Sequence, residues 1–370
     1  MRADELLKIA VEKKASDLHL RVPNPPVLRI DGALKPQTDW PVLYNKAIEQ
    51  ILEEITTPEQ REIFYAEKEL DFAYSVAGVA RFRVNVMKQR GSISIAFRQV
   101  PFEIRSIDEL GVPKICKELI LKPRGLILKP RGLILVTGPT GSGKSTTMAA
   151  MVDHLNNTDS RNVITIEDPI EYLYTNNRCI IAQRDLGDDT KSFSTALKHA
   201  LRHDPDVILV GEMRDLETIS TAISAAETGH LVVGTLHTTD APQTIDRLID
   251  IFPPDQQQQI RMQLSLVIEA VLVQTLLPKR EGKGRVAAFE IMVANTAVRN
   301  LIRDKKAHEL HNVMQLSAKD GMQTLDQSLA GLVRQNIVSL EEALLKSSNP
   351  ERLQKLLAYQ QTQQTKPHQF

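Results

Sequence analysis

Gly138-Pro139-Thr140-Gly141-Ser142-Gly143-Lys144-Ser145-Thr146 fills the template G-x-x-x-x-G-K-[ST] completely. Glycines at such a turn let backbone N–H groups approach a phosphate chain, and a helix N-terminus adds its positive end. In this reading Lys144 reaches the β- and γ-phosphates and the Ser145 hydroxyl ligates Mg²⁺. The template requires a strand before it and a helix after it. Leu133-Ile134-Leu135-Val136 is an apolar run of buried-strand type, and Met148, Met151, Val152 and Leu155 recur at helical spacing. A chance glycine-rich loop would have neither flank. The stretch therefore predicts a site for ATP with Mg²⁺.

Working outward, strands and helices alternate after Leu133, which predicts a largely parallel sheet flanked by helices. The candidate strands are Val163–Ile166, Val207–Val210 and Leu231–Leu236. Ligands in such sheets sit beyond the carboxyl ends of the strands, and each of these strands ends in ionisable residues. The first runs into Glu167-Asp168-Pro169-Ile170-Glu171, the second into Gly211-Glu212 and the third into His237. Phosphoryl transfer needs a group that orients the attacking water and cationic or metal support for the phosphate charge. Glu171 and Glu167 compete for the first task. Glu212 falls where the second acid of an hhhhDE motif stands; Gly211 replaces the usual aspartate, which leaves metal support to Glu212. Either acid could instead serve as a helix cap or a surface ion pair. From about Ala241 the chain reads as mostly helical, with one more strand over Arg285 to Val293 and a basic amphipathic helix over Asn295 to Asp304 that carries Arg299 and Arg303. The tail from Gln360 to Phe370 is Gln/Thr-rich and reads as disordered.

Residues 1–100 read as a separate α+β unit on one mainly antiparallel sheet. Ser16 to Val22 alternates polar and apolar residues, and further strands are expected over Val27–Ile30, Leu70–Val76, Val79–Met87 and Ser92–Arg98. Arg81, Arg83 and Asn85 share one strand face; this is either a solvated face or a pair of arginines offered to a phosphate. Residues 101–118 read as a linker. Leu119 to Gly125 is then repeated without change as Leu126 to Gly132. Pro130 cannot sit inside a central strand, so one copy reads as surplus, extruded as a loop.

Composition limits the partners. The 370 residues carry 46 basic and 46 acidic side chains, and this balance argues against a nucleic-acid partner held by phosphate electrostatics. No apolar run approaches the roughly 20 residues that span a bilayer. The N-terminus has no signal-peptide apolar core. The two cysteines, Cys116 and Cys179, are isolated, which suits a reducing cytoplasm and excludes a four-cysteine zinc site within one chain.

On these residues the chain resembles the secretion ATPase superfamily and, within it, the retraction ATPases of type IV pili. The resemblance runs from Ser16-Asp17-Leu18-His19 to about residue 350. It rests on the Gly138–Thr146 loop, the acidic box Thr165 to Glu171, the atypical Walker B stretch Asp206 to Glu212, and the histidine box from Thr228-Gly229-His230-Leu231 to His237-Thr238-Thr239. It implies a PAS-like N-terminal domain, a RecA-like ATPase domain over 119–359 with a helical C-terminal part, and a homohexamer. It implies Glu171 as the catalytic glutamate in preference to Glu167, Glu212 as the Walker B glutamate, His230 and His237 as coupling histidines, and Arg81 and Arg83 as arginines reaching nucleotide across a subunit boundary. Val298 and Asp304 stand where the retraction motif AIRNLIRE carries Ile and Glu, and the seven-residue duplication departs from the family. The implied activity is ATP hydrolysis that drives pilus retraction and twitching motility, at the inner face of the cytoplasmic membrane. The implied partners are an inner-membrane pilus platform protein and, optionally, a second retraction ATPase. The alternatives are an assembly or secretion motor, which would carry a longer N-terminal extension and a zinc-binding cysteine quartet, and an accessory subunit that binds nucleotide without turnover.

Overall fold

The computed structural model describes residues 2–30, 32–100, 103–121, 132–282 and 284–364, with the backbone alone from 359 onward. Of the duplicated segment 119–132, residues 122–131 lie outside the described residues. The chain divides into two compact units: Met1–Glu103 with Pro169–Leu173 and Gly187–Asp189, and the remainder.

The first unit contains α1 (Ala3–Glu12), β1 (Asp17–Arg21), β2 (Val27–Ile30), β3 (Ala33–Pro36), α2 (Asn45–Ile55), α3 (Pro58–Glu67), β4 (Glu69–Val76), β5 (Ala80–Gln89) and β6 (Ser92–Val100). Its six strands form one sheet in the order β3-β2-β1-β6-β5-β4, antiparallel throughout. Side chains alternate between faces along each strand. Leu18, Leu20, Leu28, Phe82, Val84 and Phe97 enter a core shared with Leu7, Ile48, Leu52 and Phe64 of the helices. The opposite face is polar. There the register sets Arg29, Asp17, Arg98 and Arg83 in one row across β2, β1, β6 and β5. The buried Asp17 accepts from Arg98 Nε at 2.9 Å, and these partners hold its carboxyl below the usual aspartate range against the cost of burial.

The second unit begins with α4 (Ile107–Leu110) and α5 (Ile115–Ile120). Residues 101–118 read as linker in the sequence, yet Ile107, Val112 and Cys116 are buried in a core cluster of that unit, together with Leu119 and Ile120. Then follow β7 (Gly132–Thr137), α6 (Lys144–Thr158), β8 (Asn162–Glu167), β9 (Ile180–Asp185), α7 (Phe193–Ala200), β10 (Val207–Val210), α8 (Leu216–Glu227) and β11 (Leu231–Leu236). The rest is α9 (Ala241–Asp250), α10 (Gln257–Val267), β12 (Ile268–Pro278), β13 (Arg285–Val293), α11 (Thr296–Arg303), α12 (Leu310–Leu316), α13 (Leu325–Arg334), α14 (Leu340–Lys346) and α15 (Pro350–Gln364). The seven strands run in the order β13-β12-β7-β11-β10-β8-β9, parallel except for the β12–β13 pair.

Both faces of this sheet are covered, as a central parallel sheet requires. Leu133 and Leu135 of β7 pack with residues of α7 to α12, whereas Ile134 and Val136 pack on the other face with α4, α5 and α6. The mixed α/β class is thus as the alternating pattern predicts. Further elements differ from the sequence reading, which also has no strand at β3. β9 at the sheet edge and β12 beside β7 are strands that the reading does not contain, and β12 occupies eleven residues of a region expected to be mostly helical. The tail read as disordered from Gln360 is helical through Gln364, because glutamine propagates a helix readily; residues 365–370 lie outside the described residues.

Candidate functional site

The register of the parallel strands brings their carboxyl ends to one edge of the second unit. Thr137 pairs with Leu236, and Val210 lies between Gly234 and Ile166. The residues that follow, namely the Gly138–Thr146 loop, His237, Glu212 and Glu167, therefore gather along that edge.

The loop forms a cradle at the start of α6. Gly143 caps α6 in the left-handed region (φ 89°) and brings no side-chain cap of its own; a helix N-terminus built this way favours an anion. Lys144 Nζ donates back to Gly138 O at 2.8 Å and Pro139 O at 3.2 Å, and so lies over the loop. Among the described residues, the buried hydroxyls Thr137 Oγ1 and Ser142 Oγ have no hydrogen-bond partner. Unpaired buried polar atoms are costly, and here both border the cradle. A Cβ at Gly138 would sit 2.2 Å from the backbone oxygen of Gln274, which is why this position takes glycine.

Gly211 has an equally definite reason. A Cβ there would stand 3.1 Å from both Glu167 Cα and Ile166 O of β8. The close approach leaves little room for an aspartate, and Thr235 Oγ1 donates to the Gly211 carbonyl. Glu212 next to it is engaged twice: His237 Nε2 lies 2.9 Å from its Oε1, an ion pair when the imidazole is protonated, and Arg214 Nε bonds the same oxygen. Glu167 Oε1 accepts from Thr165 Oγ1 at 2.6 Å and Gln183 Nε2 at 3.3 Å. That carboxylate is therefore already occupied by its own strand and the next one.

His230 stands apart from this edge. His230 precedes β11, at the opposite end of the strand from His237. Six strand residues at about 3.3 Å each put roughly 20 Å between the two histidines. There His230 Nδ1 lies 3.0 Å from Ala225 O, so the ring ties the end of α8 to the start of β11. Glu171 belongs to Pro169–Leu173, which groups with the first unit, as do Arg81 and Arg83. Arg83 is exposed and Arg81 half-buried on the polar sheet face.

Arg299 and Arg303 of α11 are placed in unlike surroundings. Arg299 donates to Ser265 O at 3.0 Å and Leu266 O at 2.8 Å, the last carbonyls of α10, and to Glu269 Oε1 at 2.9 Å. Glu269 stands at an irregularity in the β12–β7 register, over Gly132. Arg303 is exposed; it donates to Asn300 Oδ1 at 2.7 Å and lies 3.5 Å from Asp304 Oδ1.

Two buried side chains went unread in the sequence. Gln274 of β12 holds the phosphate loop. Glu290 of β13, 2 % exposed, accepts from the Ala241 amide at 2.8 Å and from the Leu325 amide, the first residues of α9 and α13. Burial pushes its carboxyl up to about 7 against the pull of those N–H bonds. The available signal was a polar residue inside an apolar run: Val271-Leu272-Val273-Gln274 and Ala288-Phe289-Glu290-Ile291.

The family model for type II/IV secretion system proteins matches residues 2–345. The chain is 47% identical over 351 residues to the type IV pilus retraction ATPase PilT of Pseudomonas aeruginosa, covering 95% of this chain and 99% of that one. It is 44% identical over 326 residues to the twitching motility protein of Neisseria gonorrhoeae, covering 88% and 85%. A solved structure of the pilus retraction motor PilT with bound ADP superposes with a TM-score of 0.88 at 47% identity, covering 96% of this chain and 99% of that one.

Proposed function

Since the chain belongs to the family of type II/IV secretion system proteins, we propose that it is a motor ATPase whose hydrolysis of ATP powers type IV pilus retraction and hence twitching motility. The observation that carries this reading is the glycine-built phosphate loop leading into α6 at Gly138–Thr146, in a chain that matches a pilus retraction ATPase over almost its whole length. In this reading residues 1–100 are a PAS-like domain and 119–359 a RecA-like ATPase domain, while α4 and α5, expected as linker, pack into the core of the second unit. The ATPase acts as a homohexamer on an inner-membrane pilus platform protein, at the cytoplasmic face of the membrane. A second retraction ATPase is a further candidate partner. No described helix is long and apolar enough to cross a bilayer.

The residue roles follow from charge and position. The α6 amides and Lys144 take the phosphates, and Lys144 has only to exchange its loop carbonyls for phosphate oxygens. Mg²⁺ suits the donor set, a Ser145 hydroxyl and the Glu212 carboxylate, because this ion takes oxygen ligands from one or two side chains together with substrate phosphates. It would supply charge neutralisation at the phosphates. Glu212, already bonded to His237 and Arg214, links that position to the histidine box. Glu171 orients the attacking water. Glu167 is the weaker candidate, because Thr165 and Gln183 already hold its Oε1. Arg81 and Arg83 complete a neighbouring subunit's site in trans, as arginine fingers do. His230 acts at a distance, through the α8–β11 junction. Arg299 and Arg303 belong to the coupling helix.

Phosphate release from purified protein tests the enzymatic part: steady turnover that Lys144→Ala abolishes is expected. Nucleotide binding without turnover would instead identify an accessory subunit.

A further inference from the structure

We infer that Gln274 is the positioning residue of the phosphate loop: its carboxamide ties the loop to the first turn of α6 and keeps the cradle formed before nucleotide arrives. The inference rests on the proposed ATP site and names what holds that site in shape.

The geometry is two-handed. Gln274 Nε2 donates to Ser142 O at 2.7 Å, and Gln274 Oε1 accepts from Thr147 Oγ1 at 2.7 Å. Ser142 O can only accept, which fixes the amide orientation: the nitrogen must face it. One bonded partner belongs to the loop and the other to the helix that the loop feeds. β12 runs parallel to β7 with Val273 beside Thr137, so Gln274, inside β12, stands one residue past the end of β7, level with the start of the loop. The three residues are 3 % (Ser142), 1 % (Thr147) and 3 % (Gln274) exposed. Water therefore has little access to replace either bond.

The glycines support the same reading. A Cβ at Gly143 would lie 2.9 Å from Gln274 Nε2, and one at Gly138 would lie 2.2 Å from the Gln274 carbonyl oxygen. Two glycines of the motif thus give way to one residue of the neighbouring strand. An apolar residue at 274 would bury the Ser142 carbonyl and the Thr147 hydroxyl unpaired, whereas the rest of β12 from Val271 to Val273 is apolar. The amide is there for the loop.

When a binding-competent conformation is only partly populated, the apparent dissociation constant rises by the inverse of that fraction. Releasing the loop should therefore weaken nucleotide binding more than it slows chemistry once the site is saturated.

The test uses the full chain with Mg²⁺ and ADP as the probe. Gln274→Leu is expected to raise the ADP dissociation constant about 10-fold or more. It should raise KM for ATP by a similar factor while kcat at saturation stays within about threefold of wild type. Thr147→Val removes one of the two bonds with little change in volume and is expected to weaken ADP, and Thr147→Ser, which keeps the hydroxyl, is expected to recover that loss. If Gln274→Leu fails to fold, the Thr147 pair decides. Equal ADP affinity in Thr147→Val and Thr147→Ser, or wild-type affinity in Gln274→Leu, overturns the inference. Wild-type protein and Lys144→Ala serve as controls: if they bind ADP equally, the site assignment itself fails, which is a separate result.

Discussion

Replacing Arg299 alone should destabilise the ATP-binding unit, whereas replacing Arg303 alone should not. Arg299 makes three bonds, two to the α10 carbonyls of Ser265 and Leu266 and one to Glu269. Hydrogen bonds to charged groups are worth about 1.5–3 kcal/mol each when removal leaves a buried partner unpaired. The side chains of Arg299 and Glu269 are 27% and 13% exposed, so water takes up part of that loss. A net cost of about 2–3 kcal/mol is expected for Arg299→Ala. In a unit of this size it lowers the melting temperature by roughly 4–12 °C. Arg303 is 46% exposed and its ion-pair partner Asp304 56%, and such pairs contribute about 0.5 kcal/mol or less. The assay is thermal unfolding without nucleotide for Arg299→Ala, Arg303→Ala, Glu269→Gln and the Arg299→Ala/Glu269→Gln double variant. The two Arg299–Glu269 substitutions should be less than additive, since both remove the same contact. Equal melting temperatures for Arg299→Ala and Arg303→Ala would refute the reasoning. The outcome also decides how a motility defect is interpreted, because only Arg303 can be removed without loosening the α10–α11 packing.

Three further outcomes follow. Glu171→Gln should keep ATP binding and lower hydrolysis about 10²-fold or more in a phosphate-release assay, whereas wild-type turnover would return the role to Glu167. Glu290 is raised above an ordinary glutamate to about 7 by burial. Its protonated form is favoured in the folded state, so its contribution to stability is complete below about pH 4.5 and is lost as pH rises through about 7. Glu290→Gln should therefore gain on wild type in unfolding free energy between pH 5 and 8, by an amount of the order of 3 kcal/mol, read as a rising difference in melting temperature, and a pH-independent difference would contradict the assignment. Mixing Arg81→Ala/Arg83→Ala subunits with Lys144→Ala subunits should restore some ATPase activity, and no rescue at any ratio would count against sites shared between subunits.

What the sequence made legible was local and strongly patterned. The strand over Leu133–Val136, the glycine loop and the helix beginning at Lys144 are contiguous, so motif and flanks confirm one another. The strands β8, β10 and β11, which lead into Glu167, Gly211 and His237, are short apolar runs of the buried parallel type. β12 was lost because its apolar residues follow α10 without a turn, the helix passing into the strand between Val267 and Ile268. β9 lies at the sheet edge and is only partly buried, so its periodicity is weak. Relations between distant residues were not legible at all. Glu269 lies 30 positions from Arg299, and Thr147 lies 127 from Gln274. A polar residue in an apolar run tells that something must satisfy it, but not what. The same limit explains His230, which shares a motif with His237 while the strand between them holds the two apart.

The direction of the motor is the central claim, and pilus imaging after deletion of this gene tests it most directly. A retraction ATPase predicts cells covered with many static pili and unable to twitch, with normal pilus dynamics returning when the wild-type chain is supplied but not with Lys144→Ala. Cells without pili would contradict the account and identify an assembly motor.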